Sequence, residues 1–183
     1  MLNREAASSK NRPHDVIEHL PVREGCSIAD IGAGGGYFTV ELAKKVGRTG
    51  KVYAVDVKPK YLAFVGDEAK RANLDNIVPV LAADEMSLPA MGLDLLFVRN
   101  TYHHLHDPTK YFLNLRRFLK PHGKVAIIEH KPKRGFSFVA LFKHHTTATA
   151  ILREMDEAGF VPVQSFDFLP TQTFNLFEVR EAP

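Results

Sequence analysis

Short apolar runs alternate with amphipathic segments along most of the chain. The segment 93–98 is apolar almost throughout, and the segment 51–56 is rich in residues that favour strands. The segment 37–46 instead repeats apolar residues at helical spacing. The pattern predicts strands at residues 27–31, 51–56, 77–82, 93–98, 124–129, 160–168 and 173–179. It predicts helices at residues 12–20, 37–46, 59–72, 109–119 and 147–158.

The order of these elements predicts the fold. Strands and helices alternate from residue 27 onward, which is typical of a parallel sheet covered by helices on both faces. The last two predicted strands are joined by a short loop around Pro170, so we expect them to pair antiparallel. The sequence therefore predicts an α/β protein with a Rossmann-like, doubly wound sheet of seven mostly parallel strands and an antiparallel C-terminal strand.

The composition is that of an ordinary globular protein. Of the 183 residues, 45% are hydrophobic and 25% are charged, which argues against a disordered chain. This length predicts a single domain over residues 13–183, preceded by a flexible N-terminus over residues 1–12. The net charge of +3 is too small to indicate nucleic-acid binding.

The sequence also bears on where in the cell the protein is located. No apolar run approaches the roughly 18 residues that a membrane-spanning helix needs, and the first residues do not resemble a secretory signal. The single cysteine, Cys26, excludes an intrachain disulfide and a zinc site built on several cysteines. We therefore expect a cytoplasmic protein without stable membrane insertion.

A glycine-rich segment follows the first predicted strand directly. Four of the five residues at positions 32–36 are glycine. Glycine permits positive φ and a close approach of a ligand to the backbone, and the start of the next helix offers free N–H groups. The loop lies at the carboxyl end of a parallel strand, where ligands bind in open α/β sheets. We therefore expect a ligand-binding loop rather than a simple turn.

The spacing of these glycines argues against the common phosphate-binding loops. A dinucleotide fingerprint needs a third glycine at position 37 or 39, where the chain has Tyr37 and Thr39. A P-loop is excluded too, because no Gly-Lys-Ser/Thr follows. Asp30 would repel an approaching pyrophosphate, and it suits a ligand that carries a positive charge or a donor group.

Further motifs follow the glycine loop in a fixed order. The whole set consists of Asp-Ile-Gly-Ala-Gly-Gly-Gly at 30–36, Asp56, Asp84, residues 93–100 with Tyr102-His103-His104, and Leu-Lys-Pro-His-Gly-Lys at 119–124. In this order and spacing the motifs resemble the class I S-adenosylmethionine-dependent methyltransferases. Within that class the chain is similar to the small branch that includes ubiquinone/menaquinone-biosynthesis-type methyltransferases.

The resemblance implies an enzyme that uses S-adenosylmethionine as its cofactor. On this basis Asp56 accepts hydrogen bonds from the ribose hydroxyls, and Asp84 with the backbone of Glu85 holds the adenine. The backbone of Gly32 and Gly34 contacts the methionine portion. The implied cofactor-binding residues are Asp30, Gly32, Ala33, Gly34, Gly36, Asp56, Val57, Asp84, Glu85 and Asn100.

The resemblance also places the methyl acceptor beside the turn at 102–104. Tyr102, His103 and His104 are the candidate catalytic residues, because they could steer or deprotonate an acceptor and a neutral histidine is a suitable base near pH 7. His144 is a candidate for the acceptor pocket. The acceptor is expected to be a small molecule, and the sequence does not identify it.

Two other functions stay open at this stage. The loop His103–His106 resembles the H-x-H-x-D-H signature of metal hydrolases, but Asp107 stands one position early and no histidine follows it. This interpretation also leaves the glycine loop unexplained, so we predict no metal site. The second alternative is a regulatory domain that binds the cofactor without turnover.

The segment 131–143 is first basic and then aromatic. We expect a short covering helix, with a mobile lid or a patch that touches an anionic membrane surface as the alternative. A homodimer is also compatible with the sequence. We expect no nucleic-acid partner.

Overall fold

A central sheet organises the part of the chain that the computed structural model describes, residues 2–83, 86–131 and 147–181. Its strands are β1 (Ser27–Ile31), β2 (Lys51–Asp56), β3 (Ile77–Leu81), β4 (Leu93–Arg99), β5 (Leu119–His130), β6 (Phe160–Phe166) and β7 (Gln172–Val179). They lie in the order β3-β2-β1-β4-β5-β7-β6. β7 is antiparallel to both of its neighbours, and the other adjacent strands are parallel. The predicted Rossmann-like sheet of seven strands is confirmed.

Helices connect and cover these strands. They are α1 (Leu2–Ala6), α2 (Pro13–His19), α3 (Tyr37–Val46), α4 (Pro59–Arg71), α5 (Pro108–Leu115) and α6 (Ala148–Glu157). The start of α6 follows from its cap, because the Thr147 side chain accepts a hydrogen bond from the backbone N–H of Ala150 at 3.1 Å. Gly159, with a φ of 80°, then turns the chain out of this helix.

The connection between α5 and β5 differs from its prediction. The helix predicted at 109–119 ends at Leu115, and β5 already begins at Leu119 after one 3-10 turn. β5 therefore includes residues 121–123, which lie between the predicted helix at 109–119 and the predicted strand at 124–129. His122 has a φ of 65°, and the register of β5 on β4 shifts near the start of both strands. The positive φ and the register shift together form a bulge at the start of β5, so the strand continues through these residues.

The central strand β4 is buried on both faces of the sheet. Leu95 and Phe97 pack with residues of α2 and α3, whereas Leu96 and Val98 pack with residues of α5 and α6. None of these four side chains has solvent-exposed surface. A strand that is buried on both faces needs apolar residues at consecutive positions, which explains the unbroken run at 93–98.

The first residues, predicted as flexible, contain α1 and a 3-10 turn over Ser9–Asn11. The side chain of Asn11 donates a hydrogen bond to the carbonyl of Glu5 at 2.6 Å. Ala6 packs against the part of the core that lies next to α3. The division into residues 1–12 and a domain over residues 13–183 stays a prediction.

The chain switches sides within the sheet between β1 and β4. From β1 it moves outward to β2 and β3, and it then returns to β4 on the other side of β1. The connections that leave the carboxyl ends of β1 and β4 therefore diverge and open a crevice. The glycine loop follows β1 and residues 100–104 follow β4, so the fold brings both segments to this crevice.

Candidate active site

The glycine loop lies against the end of β4. Gly32 has a φ of 77°, a conformation that residues with a Cβ rarely adopt. A Cβ added at Gly32 would lie 2.1 Å from Oγ1 of Thr101. The backbone N–H groups of Gly32 and Ala33 donate to the carbonyl of Val55 at 2.8 and 3.0 Å. Both conformation and space therefore require glycine at position 32.

The buried carboxylate of Asp56 holds two loops together. Its Oδ2 accepts a hydrogen bond from the backbone N–H of Gly34 at 3.0 Å, and its Oδ1 accepts one from the backbone N–H of Lys58 at 2.9 Å. Asp56 is 7% exposed, whereas Val57 beside it is 69% exposed. The structure thus brings Asp56 to the glycine loop and leaves Val57 on the open surface next to them.

Asp30 lies near the end of β1 and is almost fully buried. Its Oδ2 accepts a hydrogen bond from Oγ1 of Thr39 at 2.6 Å. Burial raises the pKa of Asp30 to about 6, against the opposing effect of the Thr39 hydrogen bond and with a smaller contribution from the Asp56 carboxylate. A cationic group bound nearby would favour the ionised form of Asp30.

A cleft of about 350 Å³ opens at the switch point of the sheet. Its walls come from the glycine loop, the ends of β4 and β5, the turn after β4, and α1. The lining residues are Glu5, Ala6, Asp30, Gly32, Ala33, Gly34, Gly35, Tyr37, Phe38, Phe97, Arg99, Asn100, Thr101, His103 and His130. The residues predicted from the sequence that the structure brings together in this cleft are Asp30, Gly32, Ala33, Gly34, Asn100 and His103.

The remaining predicted residues that the structure describes lie outside this lining. Gly36 faces α4, because a Cβ there would lie 2.8 Å from Cγ2 of Val65. Close packing of α3 on α4 therefore explains this glycine. Asp56 contacts the lining through Gly34. The predicted residues that lie outside the described part of the chain are Asp84, Glu85 and His144, together with residues 132–143 of the basic and aromatic segment.

Tyr102 does not reach the cleft. Its side chain is 1% exposed and stacks on Phe112, with ring centroids 5.6 Å apart. Its hydroxyl donates to Oε2 of Glu154 at 2.8 Å, and burial together with this carboxylate raises the pKa of Tyr102. In a 3-10 turn successive side chains point in different directions, so Tyr102 enters the core whereas His103 reaches the cleft. These contacts show a packing role for Tyr102, and its catalytic role stays a prediction.

His103 lies at the wall of the cleft and contacts a buried carboxylate. Its Nδ1 lies 3.0 Å from Oε1 of Glu129, and its backbone N–H donates to Oε2 at 3.4 Å. Glu129 stands one residue before the end of β5, and its side chain is 2% exposed. The exposed ring of His104 packs on that of His103, with centroids 4.0 Å apart. The two predicted histidines thus lie side by side, and His103 is the one that lines the cleft.

Gln172 on β7 orients two cleft residues at once. Its Oε1 accepts a hydrogen bond from the guanidinium of Arg99 at 3.3 Å, and its Nε2 donates to Oδ1 of Asn100 at 2.6 Å. Asn100 has a φ of 51°, which asparagine tolerates better than most residues. Because Gln172 is buried, its amide holds both side chains in place at the end of β4.

Arg99 and Asp30 give the cleft two opposite charges. The guanidinium of Arg99 lies 4.8 Å from the ring centroid of Phe38, and its buried Nε has no hydrogen-bond partner among the described residues. Burial lowers the pKa of Arg99, so a ligand carboxylate would stabilise its charged form. Asp30 suits an ammonium or another donor. A ligand with an amino acid end, such as S-adenosylmethionine, fits this pair of charges.

Sequence reasoning missed Arg99, Glu129 and Gln172. Two of them carried a signal, because Arg99 and Glu129 are charged residues at the carboxyl ends of apolar strands. Ligands bind at these ends in open α/β sheets. Gln172 carried no such signal, since its partner Asn100 stands 72 residues earlier in the chain.

The histidine loop does not form a metal site in the described part of the chain. His103 lines the cleft at the switch point of the sheet, whereas His106 lines a separate cleft of about 210 Å³ together with Asp107. Among the described residues, no three histidine, cysteine, aspartate or glutamate side chains are arranged to hold a metal ion. The helices within the same residues include none that is long and apolar enough to cross a membrane.

Comparison with known proteins identifies the family. Residues 29–127, more than half of the chain, match the family model described as a methyltransferase domain. The matched segment extends from β1 into β5 and contains the glycine loop, Asp56 and the turn at 102–104. The match therefore includes both walls of the crevice between β1 and β4.

Two curated relatives illustrate the similarity in sequence. The demethylmenaquinone methyltransferase of Lactobacillus johnsonii is 30% identical over 115 residues, which cover 62% of this chain and 47% of that protein. The ubiquinone/menaquinone biosynthesis C-methyltransferase of Cupriavidus metallidurans is 29% identical over 132 residues, which cover 70% of this chain and 54% of that protein. The chain spans about half the length of these relatives.

Solved structures show the same fold. A structure described as a SAM-dependent methyltransferase from Aquifex aeolicus has a TM-score of 0.85 and 23% identity, and the match covers 96% of this chain and 94% of that one. The fold and the family predicted from the ordered motifs are thus both confirmed. The chain belongs to the class I S-adenosylmethionine-dependent methyltransferase family, and the curated proteins to which it is similar include ubiquinone/menaquinone-biosynthesis methyltransferases.

Proposed function

We propose that this chain transfers a methyl group from S-adenosylmethionine to a small-molecule acceptor. The observation that carries the proposal is the cleft at the switch point, where the glycine loop, Asp30 and Arg99 face the same space. The two opposite charges suit the amino acid end of the cofactor. Membership of the methyltransferase-domain family supports the same activity.

The described residues that we assign to the cofactor lie in the cleft or beside it. Asp56 is assigned to the ribose, because its carboxylate ends β2 directly next to the glycine loop. Asp84 and Glu85 are assigned to the adenine on the family motif alone. Gly36 supports the loop through its packing against α4. The full set is Asp30, Gly32, Ala33, Gly34, Gly36, Asp56, Val57, Asp84, Glu85, Arg99 and Asn100.

The protein contributes to this reaction mainly by aligning the acceptor with the methyl group of the cofactor. When bound, S-adenosylmethionine supplies a methyl group that its positively charged sulfonium already activates. The main task of the chain is then to hold the acceptor in line with that group and to limit the access of water. Three segments of the cleft wall are placed to do so, namely the glycine loop, the end of β4 and the turn that carries His103.

A quinol-type aromatic ring is the first acceptor class that we assign. The two relatives are named for demethylmenaquinone and for ubiquinone/menaquinone biosynthesis. His103 and His104 are assigned to the acceptor side of the cleft, and His144 is assigned there on its sequence position alone. A cytoplasmic location, a homodimer and contact of residues 131–143 with a membrane surface stay predictions.

Isothermal titration calorimetry tests the cofactor assignment. We expect both S-adenosylmethionine and S-adenosylhomocysteine to bind, with Kd values within the range of about 1 μM to 1 mM that is common for enzyme substrates. ATP and NAD are the control ligands, because they lack an amino acid end and the glycine loop lacks the spacing that binds phosphates. The absence of binding at millimolar cofactor contradicts the proposal.

Transfer of a radioactive methyl group tests the activity. Naphthohydroquinone, catechol, aniline and a small thiol form the acceptor panel, and we expect labelled product from at least the hydroquinone. Cofactor binding without transfer to any acceptor favours the regulatory domain over the enzyme. Stoichiometric zinc or iron in the purified protein would instead support the metal hydrolase.

A further inference from the structure

A buried carboxylate stands behind the histidine that lines the cleft. The side chain of Glu129 is 2% exposed, whereas that of His103 is 16% exposed. Oε1 of Glu129 lies 3.0 Å from Nδ1 of His103. Burying a carboxylate costs free energy unless the carboxylate accepts hydrogen bonds. The hydrogen-bond partners of Glu129 therefore indicate its role.

The hydrogen bonds of Glu129 converge on a small region. Besides Nδ1 of His103, the carboxylate accepts the backbone N–H of His130 at 2.9 Å and that of His103 at 3.4 Å. Its ion-pair partner among the described residues is His103. These contacts hold the carboxylate of Glu129 in one orientation. The side chain that it contacts is that of His103.

The contact with Glu129 determines which nitrogen of His103 is available to a ligand. A carboxylate accepts hydrogen bonds, so Nδ1 carries the proton of the neutral ring and Nε2 carries the lone pair. Nε2 lies on the ring edge away from Glu129, and His103 lines the cleft. A lone pair at the wall of the cleft is the feature that a general base requires.

The adjacent residue shows a carboxylate contact of a different kind. The hydroxyl of Tyr102 donates to Glu154 at 2.8 Å, but the ring of Tyr102 is 1% exposed and lies in the core. That pair satisfies two polar groups within a packed region. The His103–Glu129 pair is different, because His103 lines the cleft and Tyr102 does not.

We infer that His103 is the general base of the methyl transfer and that Glu129 is the positioning residue that holds it. The inference rests on the proposed function and defines the acceptor class more closely. The acceptor carries a weakly acidic hydroxyl that must lose its proton, as in a hydroquinone or a catechol. A neutral imidazole accepts one proton and is suited to this task near pH 7.

The proton and the electrons of this step balance. Nε2 of His103 takes the hydroxyl proton, and the ring carbon next to the resulting oxyanion forms its bond to the methyl carbon, as the name of the C-methyltransferase relative suggests. That ring carbon then releases its hydrogen to solvent as a proton, which restores the aromatic ring. The carbon–sulfur bond breaks, and its electron pair stays on the sulfur, which becomes neutral. The Glu129 carboxylate stabilises the imidazolium that results. The imidazolium then returns its proton to solvent.

Several charged and titratable groups contact His103 or line the same cleft. They are Glu129 and His130 of β5, His104 of the same turn, Arg99 of β4, Asp30 of β1 and Glu5 of α1. Burial lowers the pKa of His130, and the nearby Glu129 carboxylate opposes this shift.

The tautomer of His103 tests the pair without cofactor or acceptor. In ¹⁵N NMR spectra at about pH 8, assigned with His103→Asn, we expect the proton on Nδ1. Glu129→Leu removes both acceptor oxygens and is expected to move the proton to Nε2. Glu129→Gln keeps one acceptor oxygen and is expected to keep the wild-type tautomer. A proton on Nε2 in the wild type, or an unchanged tautomer in Glu129→Leu, overturns the inference.

Turnover of naphthohydroquinone and catechol tests the base. His103→Asn is expected to lower kcat about 100-fold or more, while the Kd for S-adenosylmethionine stays that of the wild type. Glu129→Gln replaces a charged hydrogen bond with a neutral one, so we expect a smaller loss in kcat of about tenfold. Glu154→Gln is the matched control, because it removes a carboxylate that contacts the same turn outside the cleft, and its kcat is expected to be unchanged.

The possible failures point to different conclusions. A wild-type protein that does not bind S-adenosylmethionine contradicts the proposed function, whereas the tautomer of His103 is measured independently of it. Cofactor binding with an unchanged kcat in His103→Asn overturns the base. Equal losses of kcat in Glu129→Gln and Glu154→Gln overturn the positioning role. Cofactor binding without turnover of either hydroxyl acceptor overturns the acceptor class. If Glu129→Leu does not fold, the kcat of Glu129→Gln relative to that of Glu154→Gln tests the positioning role of Glu129.

Discussion

The carboxylate of Asp56 accepts a hydrogen bond from the backbone N–H of Gly34 at 3.0 Å, and this contact joins the end of β2 to the glycine loop. The second carboxylate oxygen accepts a hydrogen bond from the backbone of Lys58 at 2.9 Å. One buried side chain therefore fixes two neighbouring loops. A ligand that enters the cleft meets a loop whose shape is already set, which reduces the entropy lost on binding.

Replacing Asp56 with alanine is expected to weaken the binding of S-adenosylmethionine by about ten- to a hundredfold. Hydrogen bonds to a charged group contribute about 1.5–3 kcal/mol, and each 1.4 kcal/mol changes affinity tenfold. Calorimetry measures the Kd directly. Asp67→Ala is the control, because Asp67 is an exposed acid of α4 whose ion pair with Lys70 spans 3.9 Å. Similar affinities of the two variants would contradict the assignment of Asp56.

Alanine at position 32 is expected to abolish cofactor binding and to destabilise the fold. The new Cβ would lie 2.1 Å from Oγ1 of Thr101, and the φ of 77° is unfavourable for alanine. The left-handed conformation alone costs about 1–2 kcal/mol for a residue with a Cβ, and the steric overlap adds to this. Urea unfolding measures the loss in the free energy of unfolding.

Gly66→Ala is the matched control for this substitution. Gly66 lies within α4, and an added Cβ would meet nothing within 4 Å. Alanine favours the helix over glycine, so we expect an increase in stability of about 0.5–1 kcal/mol. A Gly32→Ala variant as stable as the wild type would show that the loop does not have the geometry described above.

The sequence predicts the sheet and the glycine loop because local features determine both. The run at 93–98 is apolar at consecutive positions since β4 is buried on both faces, and this pattern is visible without the structure. The left-handed conformation at Gly32 likewise depends on the residue type itself. The order of strands and helices then determines where the loop lies in the sheet.

The rest of the site depends on contacts between distant parts of the chain. His103 pairs with Glu129, which stands 26 residues later, and no spacing rule connects the two. Tyr102 and His103 are adjacent, yet one enters the core and the other reaches the cleft. A 3-10 turn rotates successive side chains by about 120°, so their directions follow from how the turn packs on the sheet.

Asp30 is expected to lower the stability of the protein as the pH rises from about 4 to about 6. Burial raises the pKa of Asp30 in the folded protein from 3.8 to about 6. In this range the folded chain therefore holds a proton that the unfolded chain has released, and stability falls as the pH rises. At 1.36 kcal/mol per unit of pKa, the loss is on the order of 3 kcal/mol and is complete above the folded pKa.

Asp30→Asn removes this pH dependence, because the amide does not titrate and its oxygen can still accept the hydrogen bond from Thr39. We expect the variant to gain stability relative to the wild type between pH 4 and pH 7, as measured by urea unfolding at steps of one pH unit. Asp67→Asn, at an exposed position of α4, is the control and is expected to show no comparable gain. A constant difference between Asp30→Asn and the wild type would disprove the raised pKa.

Tyr102→Phe separates a packing role from a catalytic one. The substitution removes the hydrogen bond from the hydroxyl to Glu154, which is 2.8 Å long, and keeps the ring stacked on Phe112. Because the acceptor is a carboxylate in a partly buried place, we expect a loss of about 1–2 kcal/mol in the free energy of unfolding. Turnover and the Kd for S-adenosylmethionine are expected to stay unchanged, since the hydroxyl lies outside the cleft. A large fall in kcat with unchanged stability would instead restore Tyr102 to the reaction and would require the turn to rearrange when the acceptor binds.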